Sequence, residues 1–174
     1  MSLSVYQYLE EVYNNTSLDE IEKFNKSFKV DLSKIAYSGF YWGDINLNSP
    51  IVVVSLNPKL DPKAKEEQQE ENFKIWLEKC TKGFENYRDD KELHRIWHNL
   101  AKVFFSEEER KLGIKKLFVE NVVNLDWCYY YSSEFPTIQN ISNNKLYNDF
   151  NVNLKKLITD YLKPRAVFIR VVLV

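Results

Sequence analysis

Two kinds of apolar pattern alternate along this chain: unbroken runs, and apolar residues spaced at helical intervals. The run Ile51-Val52-Val53-Val54-Ser55-Leu56, bounded by Pro50 and Pro58, reads as a strand buried on both faces, the kind that belongs to parallel sheets. Leu117 to Leu125 (LFVENVVNL) reads as a second strand, and Ala166 to Val174, starting two residues after Pro164, as a third. Between them the period changes. Val5, Tyr8, Leu9 and Val12 fall on one helical stripe, and Ser17 with Glu20 forms the signature of a capping box for a second helix. Ala64 to Cys80 carries Phe73, Trp76, Leu77 and Cys80 on one face, and Leu93, Ile96, Trp97, Leu100 and Phe104 mark another helix. Ser106 and Glu109 form a second capping box, and Gly113 is placed to stop that short helix. Lys145 to Leu162 is helical, closed by Pro164; residues 29–50 read as loop with room for one short strand.

Strand, helices, strand, helix, strand is the order of right-handed βαβ units. It predicts an α/β fold, a three-layer α/β/α sandwich with a mostly parallel central sheet. The chain has 174 residues, 44% of them hydrophobic, enough for one core, so a single domain over 1–174 is expected, with N-terminal helices in 4–28 and the sheet-containing part in 51–174. Lys and Arg number 24 against 25 Asp and Glu, a formal net charge of -1, so no global basic field attracts nucleic acid. Contact with DNA would be a local patch. No stretch approaches the roughly 18 apolar residues of a membrane span, and the start lacks the basic and apolar regions of a secretory signal, so no membrane partner is expected. Cys80 and Cys128 stand far apart and suit neither a disulfide framework nor a zinc site, which makes a reducing, cytoplasmic location the expectation. With 4 glycines, neither GxGxxG nor GxxxxGK[ST] can be written, and no cofactor is expected.

Ligands in open parallel sheets bind beyond the carboxyl ends of the strands. Ser55-Leu56-Asn57-Pro58-Lys59 follows the first strand, and Asn-Pro there gives a sharp turn in which Asn57 either forms the turn or projects its amide into the crevice. Asn121 and Asn124 interrupt the second run; being three apart they face opposite sides of a strand, and each either reads a ligand or satisfies neighbouring backbone. IVVVSLNPK followed by FVENVVNLD resembles the uracil-DNA glycosylase superfamily, whose first buried strand opens into a Gly-x-(Asn/Asp/Ala)-Pro motif and whose second ends in a base-reading Asn. By that resemblance Asn57 and Pro58 match the Asn-Pro pair of the mismatch-specific and single-strand-selective branches, where Asn orients the attacking water, and Asn121 matches the base reader. Ser55 and Leu56 stand where the family has its glycine spacing, no aromatic follows Pro58 closely, and the family's second motif would lie beyond the third strand, past Val174.

The implied chemistry is hydrolysis of an N-glycosidic bond in DNA: an extruded nucleotide, a water held by Asn57, and a planar amide offering one donor and one acceptor to the edge of uracil. An amide cannot strongly accept the proton of water, so slow turnover is expected. Tyr129-Tyr130-Tyr131 and the group Tyr37, Phe40, Tyr41, Trp42 either stack the flipped base or pack the core. Asn57, Pro58, Asn121, Asn124 and Tyr129 are thus the candidate site, with DNA or a nucleobase as partner. The alternative is a non-catalytic domain on the same scaffold that binds a nucleotide, a base or a protein. A third reading places Asp126 in an unrelated nucleotide-handling enzyme. His94 and His98 have the i, i+4 spacing metals use, but no HExxH can be written around them, and a solvated helix face is expected instead.

Overall fold

The computed structural model describes residues 4–33, 41–56, 73–132 and 144–169. Among these the elements are α1 (Val5–Asn15), α2 (Leu18–Phe28), β1 (Tyr41–Trp42), β2 (Ile51–Ser55), α3 (Phe73–Lys82), α4 (Arg95–Phe104), α5 (Glu107–Arg110), α6 (Ile114–Asn121), β3 (Val122–Asp126), α7 (Lys145–Lys156) and β4 (Ala166–Ile169). Short 3₁₀ turns occupy Gly83–Asn86 and Asp90–Glu92, and α7 widens into a π-helical turn over Leu157–Leu162 before Lys163 turns left-handed.

The sheet order is β1-β3-β2-β4. β3 and β4 both run parallel to β2, pairing Ile51 with Val122 and Ala166 and continuing in register to Ser55 beside Asp126; β1 is antiparallel to β3. The architecture is the expected α/β class with a mostly parallel, open sheet.

Each face of the sheet has its own core. Val52, Val54, Val123 and Leu125 pack with Leu9, Phe24, Trp76, Cys80 and Phe150 from α1, α2, α3 and α7. The alternate residues Ile51, Val53 and Val122 pack with Phe84, Trp97, Ala101, Leu117 and Phe118 from the first 3₁₀ turn, α4 and α6. A strand apolar at every position is the consequence of helices on both sides.

Caps set the helix boundaries. Ser4, Ser17 and Ser106 each close a capping box, with Gln7, Glu20 and Glu109. The N-terminus of α6 is capped from a distance: both Asp90 carboxylate oxygens accept from the backbone N–H groups of Ile114 and Lys115, at 2.9 and 2.8 Å. Gly113 enters that helix at φ +105°, a conformation open to glycine.

One predicted element changes type. The stretch expected as a strand over Leu117–Leu125 is helix through Asn121 and strand only from Val122. Ile114, Leu117 and Phe118 lie at helical spacing toward one core, and Asp90 supplies the cap that the local sequence lacks. The expected helix Ala64–Cys80 is described from Phe73 and runs on to Lys82; the third strand is described as far as Ile169.

Phe118 is fully buried and its ring meets those of Phe84, Trp97 and Phe105. Phe118→Ala is therefore expected to lower the unfolding free energy by about 3–5 kcal/mol, read from the urea midpoint at unchanged slope.

Candidate functional site

The amino and carboxyl ends of the parallel strands differ in kind. At the amino end, Asn121 closes α6: its Nδ2 donates to the Leu117 carbonyl at 3.0 Å and its Oδ1 accepts from Arg165 Nη2 at 2.8 Å. The Arg165 backbone N–H in turn donates to the Pro50 carbonyl at 3.1 Å. One side chain thus ties together the segments that lead into β3, β4 and β2. This corrects the expectation for Asn121: it precedes β3 at the end of a helix, with both halves of its amide engaged in holding strand starts, and Ser55, the last residue of β2, lies at the other end of the ladder.

Toward the carboxyl end burial decreases along the face covered by α4 and α6. Val122 is fully buried, Asn124 nearly so, and Asp126 and Ser55 are half-buried. Asn124 pairs with Trp42 on one side and Val53 on the other, and Val53 pairs with Phe168, so one row across this face reads Trp42, Asn124, Val53, Phe168. Residues directly opposite in a ladder share a face.

Asn124 is 7% exposed, and its Oδ1 accepts a hydrogen bond of 2.7 Å from Ser55 Oγ. That bond fixes which way the amide points. Among the described residues no hydrogen bond is made by its Nδ2. The amide's two donor hydrogens and the second lone pair of Oδ1 lie in one plane with that bond.

Tyr129 does not join this row. It is buried among Tyr8, Tyr130 and Phe150 on the opposite face of the sheet, and its hydroxyl accepts from Asn153 Nδ2 at 3.2 Å, while Tyr8 donates to Asn153 Oδ1 at 2.7 Å. Burial pushes its phenol up to about 12, against the pull of hydrogen bonds with Thr16 and Asn153. Tyr129 and Tyr130 are core residues. Asn57 and Pro58 lie outside the described residues.

Sequence reasoning passed over Ser55, although a hydroxyl closing an otherwise apolar run was a visible signal. His94 starts α4 with its ring edge-on to Tyr87, and among the described residues no three His, Cys, Asp or Glu side chains gather as a metal would require. Nor, among them, is any helix long and apolar enough to cross a membrane. Comparison with family models, curated proteins and solved structures finds no match.

Two tests follow from this geometry. Ser55→Ala leaves the Asn124 carbonyl without its donor and is expected to cost about 1–3 kcal/mol, measured by denaturant unfolding. Cys80 and Cys128 are both buried, and burial, reinforced by the nearby Asp126 carboxylate, pushes both thiols above their ordinary range. Neither is expected to react with a disulfide reagent at pH 8 in the native protein, while unfolding releases two reactive thiols per chain.

Proposed function

We propose that this protein recognises a nucleobase, in the manner of a uracil-DNA glycosylase-like protein, and hydrolyses the N-glycosidic bond that holds it. The observation that carries the reading is Asn124: a nearly buried amide in the middle of two parallel strands, pinned by Ser55 at their carboxyl end, with no hydrogen bond from its Nδ2 among the described residues. Nδ2 is suited to donate to a ring carbonyl such as O4 of uracil, and the second lone pair of Oδ1 to accept from the adjacent N3–H. Cytosine presents an amine where uracil presents O4. Donor would then face donor, and the wrong base would leave a buried group unsatisfied.

In this reading Asn57, which follows β2 in the sequence, orients the water. The water oxygen bonds to the anomeric carbon, the bond to the base nitrogen breaks, and the proton of the water ends on the departing base. The base reader assigned to Asn121 from the sequence moves three residues on, to Asn124. A non-catalytic base-binding domain on the same scaffold is the second reading. The formal charge of -1 favours it, since a protein that captures duplex DNA ordinarily presents a basic field.

Uracil release from single- and double-stranded oligonucleotides separates the two. Release is expected from the wild type, none from Asn57→Ala, and a loss on the order of 10- to 100-fold from Asn124→Leu, while Asn121→Ala lowers stability but leaves turnover per folded molecule unchanged. Thermal stabilisation by uracil or a nucleotide without any release establishes the non-catalytic reading; neither release nor stabilisation contradicts both.

A further inference from the structure

On the face of the sheet covered by α1 and α7, away from the row that holds Asn124, a cleft of about 480 Å³ lies between the start of α1, the turn at 44–47 and the π-helical turn that ends α7. That volume is within the range of roughly 300–1,000 Å³ found for small-molecule sites. Its apolar lining is Val5, Ile45, Leu47 and the ring of Tyr161. Its two charges are of opposite sign, the Lys156 ammonium and the Asp160 carboxylate.

Lys156 and Asp160 stand four residues apart, a separation at which two side chains on an ordinary α-helix share a face. The backbone changes that relation here. From Leu157 to Leu162 the helix is π-wound, and the Lys163 N–H reaches back to the Ile158 carbonyl at 2.9 Å, so the residue one full turn beyond Lys156 is Tyr161 and not Asp160. Lys156 and Tyr161 accordingly rest on one ring. Lys156 Nζ lies 4.3 Å from the centroid of Tyr8, and Tyr161 stacks on Tyr8 at 5.3 Å and 19°. Tyr8 is itself anchored, donating to Asn153 Oδ1 at 2.7 Å.

Among the described residues Lys156 has no carboxylate partner and Asp160 no cationic one; the Asp160 carboxylate accepts from the Thr159 hydroxyl at 2.7 Å. The remaining polar lining adds one group of each kind. Asn46 Nδ2 donates to the Tyr6 hydroxyl and to Asp44, at 2.6 and 3.1 Å, which leaves Oδ1 as an acceptor. Ser4 Oγ accepts from the Gln7 N–H at 3.2 Å and keeps its own hydrogen to donate. A ligand with a single charge would leave either Lys156 or Asp160 uncompensated. One that carries both an ammonium and a carboxylate answers both.

We infer that this cleft binds a free α-amino acid with an apolar side chain, its carboxylate on Lys156 and Ser4, its ammonium on Asp160 and Asn46, and its side chain against Val5, Ile45 and Leu47. The site is independent of base recognition. Because Tyr8 holds Lys156 in place before a ligand arrives, little side-chain freedom is lost on binding.

Calorimetric titration of the full-length protein with L-leucine tests the inference. Wild type is expected to bind L-leucine, and to bind glycine, which has no side chain for the apolar lining, more weakly. Isoamylamine lacks the carboxylate and isocaproate the ammonium; each is expected to bind roughly tenfold or more weakly, the scale of one lost hydrogen bond to a charged group. Lys156→Met and Asp160→Asn are expected to lose affinity for L-leucine by a similar factor. Asp160 is exposed, so Asp160→Asn reads the ammonium contact even where circular dichroism shows Lys156→Met unfolded. Absence of L-leucine binding by the wild type overturns the inference, as does equal affinity for either analogue or an unchanged affinity in either folded variant.

Discussion

The parallel pairing of β2 with β3 is the constraint on which the rest depends. Five residues of each strand lie in register, from Ile51 beside Val122 to Ser55 beside Asp126. Because successive side chains point to opposite faces, one β-branched run feeds two cores at once: Val52 and Val54 into one, Ile51 and Val53 into the other. Neither face can be left to water. The helices on each side therefore follow from the strand, including α6, whose Leu117 and Phe118 fill the space above Val122. Backbone pairing continues past the strands, with Trp127 and Cys128 donating to the carbonyls of Ser55 and Leu56, each at 2.8 Å. The same register that builds the core thus carries the polar residues Ser55, Asn124 and Asp126 to one end of it.

The two ends of this pair are used differently. At the amino end the polar groups are consumed by architecture: Asn121 holds Arg165, and Arg165 holds the backbone before β2. Toward the carboxyl end Ser55 donates to a nearly buried amide in the middle of β3, Asn124, whose Nδ2 makes no hydrogen bond among the described residues and which stands across the ladder from Trp42. Asn121 and Asn124 are chemically identical side chains three positions apart; the helix-to-strand transition between them puts one at the end of a helix, clasping Arg165, and the other inside the strand, bonded to Ser55.

Much of this arrangement was legible in the residues. The run 51–56, both N-terminal helices, the serine capping boxes and the α/β order were each carried by strong local signals, because local propensity and tertiary packing agree there. The boundary at Val122 was not. Leu117 to Leu125 has apolar residues at six of nine positions, and such a run reads equally as strand or buried helix when its cap comes from elsewhere. Asp90, 24 residues upstream of Ile114, provides that cap. That boundary puts Asn121 at the end of a helix and leaves Asn124 as the asparagine within the strand. Tyr129 failed for another reason: an aromatic run past a strand end suits either a pocket or a core, and only tertiary contacts with Phe150 and Tyr8 choose the core.

Two-dimensional proton–nitrogen spectra of the labelled protein, recorded during titration with uracil, test the central claim that recognition sits at the carboxyl half of the β2–β3 pair on the face covered by α4 and α6. The side-chain amide of Asn124 and the indole N–H of Trp42 are expected to shift together and saturably, while the side-chain amide of Asn121 stays in place. Movement at Asn121 with Asn124 and Trp42 unperturbed, or no saturable movement at either end, would contradict it.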